Sequence, residues 1–320
     1  MSKIQLLHDL KTRIQSVIVG QHDLLDRLII AVLAGGHVLL EGPPGLAKTT
    51  VVHALASGMN ASFQRVQFTP DLMPGDLTGS EIFEPSNSSF RFIPGPLFHE
   101  ILLADEINRA PPKVQSALLE SMAEHQITVA GKTHSLPDVF MVLATQNPLE
   151  QSGTYPLPEA QLDRFLFKIV LDYPDLDEEV EIARRARKAH EGHVEADIKA
   201  MLNPADLLSL RQQLNSVFIE ERVERYAVEI VAATRKLENY LPAWKDHVRA
   251  GASPRASIAL LRAAMARALL SDRDFVLPED IIALVADVLR HRLVMNFSAR
   301  AEGVSADDIV NALIDKVPAA

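Results

Sequence analysis

The chain has 320 residues, 48% hydrophobic and 23% charged, the balance of a soluble globular protein with length for one large or two ordinary domains. It has no cysteine, which excludes disulfides and thiolate metal sites, and its first residues, MSKIQLLHDLKTRIQ, carry charge throughout their apolar pattern, unlike a signal peptide. No run approaches the roughly 20 apolar residues of a membrane span, so a cytoplasmic location is expected, and a net charge of −10 gives no electrostatic support for binding nucleic acid as a whole molecule.

Ile4, Leu6, Leu7, Leu10 and Ile14 recur at helical spacing and predict an amphipathic helix over 4–16. Val17-Ile18-Val19-Gly20-Gln21 then turns into a second predicted helix, 23–33. Residues 37–50, HVLLEGPPGLAKTT, read as strand, phosphate loop and helix. In the loop Gly42-Pro43-Pro44-Gly45-Leu46-Ala47, successive backbone N–H groups can wrap a phosphate at the positive end of the helix opened by Lys48, Thr49 and Thr50. The lysine ammonium reaches the outer phosphates and the Thr49 hydroxyl can hold Mg²⁺, so a bound nucleoside triphosphate is expected. The usual pattern has glycine before the lysine. Ala47 stands there instead, which is sterically possible for a residue already in the first helical turn, where φ is negative. An apolar segment just ahead of such a loop, Val19 and Gly20 included, either covers an adenine ring or packs in the core.

Residues 63–68 alternate like a strand, and 69–98 then carry Pro70, Pro74, Gly75, Gly79, Pro85, Pro94, Gly95 and Pro96, with Phe90 and Phe92 flanking Arg91. So many breakers predict an inserted loop or hairpin of functional character. Ile101-Leu102-Leu103-Ala104 reads as a buried strand with Asp105 and Glu106 at its C-terminal end, where open α/β sheets place their ligands. Asp105 suits the hydration shell of Mg²⁺ and Glu106 the polarising of an attacking water. A helix over 113–124, a hairpin over 126–136 turning at Gly131-Lys132, and a strand over 139–144 follow. That strand ends in Thr145-Gln146-Asn147-Pro148, whose Asn147 amide could orient a water beside a γ-phosphate and whose proline stops the strand. A short helix ends at Arg164, ahead of a further apolar strand over 166–171. A guanidinium there either reaches a neighbouring subunit's γ-phosphate or makes a surface salt bridge.

The acidic, proline-bearing link 172–177 marks a domain boundary, giving domains 1–173 and 174–320. Beyond it only helical patterns are visible, over 177–190, 204–215, 221–239, 254–270, 278–291 and 305–315. Ser253 and Pro254 cap one of them and leave Arg255 in its first turn, where a cation opposes the helix dipole unless an anion, such as a phosphate, lies nearby. Arg262 and Arg267 read as solvated, and the spacing of His190 and His193 does not match a metal motif.

Several stretches together resemble the MoxR family of AAA+ ATPases: GPPGLAKT at 42–49, FTPDLMPGDLTG at 68–79, FIPGPLF at 92–98, ILLADEINRAPPKVQSALLESM at 101–122, ATQNP at 144–148, YPLPEAQLDRFLF at 155–167 and SPRA at 253–256. The resemblance runs over nearly the whole chain, and the family tolerates alanine where Ala47 stands. It implies a five-stranded parallel P-loop sheet between helices, followed by an all-helical lid, with 69–98 an insert in the second helix and 126–136 a hairpin before the sensor strand. It assigns Walker A to Lys48 and Thr49, Walker B to Asp105 and Glu106, sensor 1 to Asn147, the arginine finger to Arg164, with Arg109 the other candidate, and sensor 2 to Arg255. ATP and Mg²⁺ are the implied cofactors. A hexameric ring is the implied assembly, acting as a chaperone that matures or activates partner complexes, with a von Willebrand factor A domain protein or metal insertion as frequent associations. Two other readings stay open. A nucleic-acid motor shares this core and is favoured only by Lys132 at the expected hairpin tip. A small-molecule kinase would need an acceptor pocket and neither arginine sensor.

Overall fold

The computed structural model of the chain describes residues 2–43, 46, 48–86, 88–147, 153–190 and 198–319. Contacts divide it into two compact units, residues 1–157 with 169–209 and residues 158–168 with 210–320.

In the first unit Ser2 caps α1 (Lys3–Val17), its hydroxyl accepting the Gln5 N–H at 3.2 Å, and Leu7, Leu10 and Ile14 form the buried stripe. Every residue of α2 (His22–Ala34) from Leu28 onward is buried, and the helix stops at Gly35 in the left-handed region. β1 (Val38–Glu41), α3 (Lys48–Gly58) and β2 (Phe63–Gln67) follow. The expected insert contains a short helix, α4 (Pro74–Thr78), and a hairpin of β3 (Gly79–Glu84) and β4 (Ser89–Pro94). Pro74 opens α4, and the Asp76 carboxylate accepts the Met73 N–H at 2.8 Å. Gly79 joins α4 to β3 with φ 87°, where a Cβ would stand 2.2 Å from the Ile93 carbonyl oxygen, so only glycine fits. Phe83 and Phe90 face each other on the hairpin at 5.3 Å, 50% and 63% exposed.

β5 (Ile101–Asp105), α5 (Pro112–Glu124), the hairpin of β6 (Gln126–Val129) and β7 (Lys132–Ser135), β8 (Met141–Gln146) and β9 (Phe167–Val170) complete the alternation, while α6 (Glu159–Leu162), ahead of β9, groups with the second unit. The β6–β7 turn is Ala130-Gly131, both at positive φ, rather than the expected Gly131-Lys132. Lys132 therefore lies in β7 and not at the tip, and its ammonium pairs with Glu81 of the insert at 2.9 Å. The parallel sheet runs β2-β5-β8-β1-β9. β1, β5 and β8 are buried at every position but the last, so the sheet interior surfaces only at Glu41, Asp105 and Gln146. Those residues mark the C-terminal edge of the sheet. Beyond the expected boundary, α7 (Leu176–His190) and the start of α8 (Pro204–Leu214) still pack with the first unit. Arg185 donates to the carbonyls of Ser16 and Val17 at 3.2 and 2.5 Å, and the Met201 N–H to Gly58 O at 2.8 Å. His193 and the side chain of His190 lie outside the described residues.

The second unit is built on α9 (Glu221–Ala233), α10 (Leu237–Tyr240), α11 (Pro254–Leu270), α12 (Pro278–Leu289), α13 (Phe297–Glu302) and α14 (Ala306–Lys316). The helical pattern expected over 221–239 breaks after Ala233 into the separate short α10. It also holds a small antiparallel ladder, β10 (Val248–Ala250) with β11 (Val294–Met295), too short to show an alternation in the sequence. Arg267 is not solvated as expected, because it reaches Asp280, which is fully buried at the start of α12. Arg267 donates to its carboxylate at 2.5 Å, Arg273 at 2.7 and 2.8 Å, and the Leu277 N–H at 2.9 Å. Burial alone would raise the Asp280 pKa, but these donors outweigh it and hold the group below the usual carboxylate range. A depressed folded pKa contributes stability above the carboxylate range that is lost as pH falls through it. Urea unfolding should therefore weaken by on the order of 1 kcal/mol more between pH 6 and pH 3 in the unaltered chain than in Asp280→Asn, and equal slopes would refute this.

Candidate functional site

The C-terminal edge of the sheet gathers the first unit's chemistry. Gly42 follows β1 closely against β9's continuation, and a Cβ there would stand 2.7 Å from the Leu171 carbonyl oxygen. Lys48, Thr49 and Thr50 form the first turn of α3, whose free N–H groups give an anion its partners. The Lys48 ammonium folds back to donate to the Gly42 carbonyl at 2.7 Å. Burial pushes its pKa below the usual lysine value, against the opposing pull of Asp105, Glu106 and Glu41. Leu46 is buried, while Pro44, Gly45 and Ala47 lie outside the described residues. Val19 and Gly20 form the turn between α1 and α2, and Gly20 at φ 67° sits against the Glu178 carboxylate.

The acid pair is tightly held. Asp105 ends β5, and its backbone oxygen accepts the Phe68 N–H at 2.8 Å. One carboxylate oxygen, Oδ1, accepts the Thr145 hydroxyl at 2.6 Å. That hydroxyl in turn accepts the Glu106 N–H at 2.9 Å. The other, Oδ2, accepts Arg65 Nε and Nη2 at 3.1 and 2.6 Å. Glu106 takes the left-handed conformation (φ 57°, ψ 50°), an uncommon state for a residue with a Cβ, and so leaves the strand line. Its Oε2 accepts Gln67 Nε2 at 2.7 Å and pairs with Arg109 Nε at 3.0 Å. Asn147 is the first residue beyond β8, half-buried. Lys48, Asp105 and Glu106 are thus near neighbours, and the oxygens of the Thr49 hydroxyl and the Asp105 carboxylate are hard donors of the kind that would suit Mg²⁺.

The other expected site residues lie in the second unit. Arg164 is exposed just after α6. Arg255 sits in the first turn of α11, its N–H donated to the capping Ser253 hydroxyl at 3.2 Å. The anion beside it is a carboxylate, Asp163, at 3.7 Å. Sequence reasoning missed Arg65, Gln67, Thr145 and Asp163. Alternation along β2 puts the first two on one face, since residues two apart on a strand point the same way, but it does not set that face against Asp105.

Comparison with known proteins agrees with this geometry. Residues 37–167 match the model of the ATPase family associated with various cellular activities (AAA), and residues 244–313 match the AAA lid domain. Chaperone MoxR1 of Mycobacterium tuberculosis is 45% identical over 95% of this chain and 80% of its own length. Protein MoxR of Methylorubrum extorquens is 33% identical over 96% of this chain and 93% of its own length. A solved structure from Cytophaga hutchinsonii, assigned as an ATPase, superposes with TM-score 0.92 at 44% identity, covering 99% of this chain and 96% of that one. No described helix is long and apolar enough to cross a membrane. With a five-stranded parallel sheet, a lid and relatives matching nearly end to end, the chain belongs to the MoxR family of AAA+ ATPases.

Proposed function

We propose that this chain hydrolyses ATP in a hexameric ring and uses the cycle to remodel, mature or activate partner protein complexes in the cytoplasm. The observation that carries the reading is the half-buried Lys48 ammonium set beside Asp105 and Glu106 at the open edge of the sheet. Backbone N–H groups of the 42–47 loop and of Lys48 to Thr50 cradle the phosphates, and Val19 and Gly20 flank the adenine. Lys48 exchanges the Gly42 carbonyl for phosphate oxygens. Thr49 and Asp105 would hold Mg²⁺, the latter through water, and the ion would supply positive charge to the phosphates. Glu106 takes the proton of the attacking water, and the Asn147 amide orients that water. Arg164, offered to the neighbouring subunit, stabilises the charge that develops on its γ-phosphate, with Arg109 the other candidate, and Arg255 links nucleotide state to the lid.

In this scheme residues 1–173 are the nucleotide-binding domain and 174–320 the lid. The exposed Phe83 and Phe90 make the insert hairpin the client contact, since exposed aromatics flanking a ridge favour protein partners. A partner with a von Willebrand factor A domain, or a client needing metal insertion, fits the same scheme. The motor-on-nucleic-acid reading rested on Lys132 at the hairpin tip, whereas Lys132 lies in β7 and pairs with Glu81 at 2.9 Å.

Phosphate release tests the ring. Arg164→Ala should bind nucleotide yet lose at least about tenfold in turnover. Mixing it with Lys48→Ala should restore part of the activity, and no recovery at any mixing ratio would count against a finger in trans.

A further inference from the structure

Asp105 already has a cation beside it. Arg65 lies on the edge strand β2 and reaches across to β5, placing Nε and Nη2 at 3.1 and 2.6 Å from Asp105 Oδ2. Thr145 fills Oδ1 at 2.6 Å. The guanidinium is tethered a second time, by Nη2 donating to Gln67 Oε1 at 2.9 Å, while Gln67 Nε2 donates to Glu106 at 2.7 Å. One arginine on a neighbouring strand thus carries the charge that balances the acid expected to face a metal.

We propose that Arg65 is a resident counter-ion of Asp105 which a divalent cation must displace, so that Arg65 sets how strongly the site takes up metal with its nucleotide. A carboxylate oxygen that accepts two guanidinium N–H bonds has its lone pairs occupied and cannot also accept from a metal's hydration water in the same directions. Guanidinium and metal also repel one another. Arg65 is 48% exposed, so it can swing into water at the modest cost of a partly solvated ion pair, whereas Asp105, 20% exposed, stays in place. In the metal-free site the same guanidinium offsets the repulsion between two adjacent carboxylates. Arg65 is a positioning residue in this scheme, touching neither the nucleotide nor the attacking water.

The proposal rests on Asp105 as a metal-holding acid, and the test separates the two. Manganese(II) is titrated into the full-length chain with ADP, free ion being read by electron paramagnetic resonance, and nucleotide affinity is measured separately in EDTA. Arg65→Met should take up manganese roughly twofold to fivefold more tightly than the unaltered chain. Its affinity for metal-free nucleotide should hold or fall, because a nearby positive charge has gone. Arg65→Lys, which keeps the charge without the two-pronged contact, should fall between. A purely structural role would move both affinities the same way. Unchanged or weaker manganese uptake by Arg65→Met, or a rise in both affinities, overturns the proposal. Should Arg65→Met fail to unfold cooperatively on heating, Arg65→Lys decides by the same criterion. Asp105→Asn runs alongside: if it leaves uptake intact, the metal role of Asp105 fails, and if it abolishes uptake while Arg65→Met changes nothing, only the counter-ion role fails.

Discussion

Replacing Glu106 with Gln should leave nucleotide bound and slow ATP turnover at least about a hundredfold, the scale on which removal of a general base acts. The change is close to isosteric, and the backbone has no new reason to move: the left-handed φ of 57° is as accessible to Gln as to Glu. Gln67 Nε2 can still donate to a side-chain carbonyl oxygen at position 106, while the Arg109 ion pair and the attraction to the Lys48 ammonium are weakened. That pair is partly exposed, with side chains 40% and 27% accessible, so its loss should cost no more than about 1 kcal/mol. What the amide cannot do is accept a proton from water. Phosphate release and nucleotide binding are therefore expected to separate cleanly in this variant, with the thermal unfolding transition nearly unmoved. Full turnover by Glu106→Gln would remove Glu106 from the water-activating role. The same protein, held in its ATP-bound state, is the form from which a client should be recovered in a nucleotide-dependent way.

The sheet was legible because buried parallel strands leave a run of apolar residues closed by a polar one. Leu39-Leu40-Glu41, Leu102-Leu103-Ala104-Asp105 and Leu143-Ala144-Thr145-Gln146 all end this way, and the structure surfaces at those ends. Short amphiphilic elements were not. Helix α4 is written Pro-Gly-Asp-Leu-Thr, which reads as a turn until the Asp76 cap is seen, and α13 begins at a Phe297 that is 81% exposed, the reverse of an apolar face. Site residues with their own motif, Lys48 and the acid pair, could be named from their neighbours in sequence. Arg65 and Thr145 could not, since their meaning is a contact across strands that closes only when β2, β5 and β8 lie side by side. Asp163 is the clearest case. The sequence singles out Arg164 next to it, yet Asp163 is the residue on which Arg255, Ser253 and Arg292 converge.

Arg292→Met is expected to lower the unfolding free energy by about 3–5 kcal/mol, the cost of removing one partner from a buried ion pair. The Arg292 side chain is 3% exposed. Its Nε donates to Asp163 Oδ1 at 2.7 Å, Nη1 to the carbonyls of Leu166 at 3.3 Å and Val288, and Nη2 to the carbonyls of Asp163 and Phe165 at 3.2 and 2.7 Å. Burial lowers the Arg292 pKa, and Asp163 opposes that shift. Methionine fills much of the volume and supplies no donor, so Asp163 keeps only the Ser253 hydroxyl at 3.3 Å and the exposed Arg255 at 3.7 Å. Lysine should recover little, because a single ammonium cannot serve oxygens spread around a planar fork. The oxygens that lose their donor belong to residues 163–166 and to α12, so the loosening is local before it is global. Amide exchange over 158–168 should speed up at urea concentrations that leave the first unit protected. Since Arg164 lies within that segment, its proposed role as a finger in trans predicts that hydrolysis should fall while nucleotide affinity holds. A urea midpoint and an exchange pattern both unchanged in Arg292→Met would show that this guanidinium is not what fixes the segment.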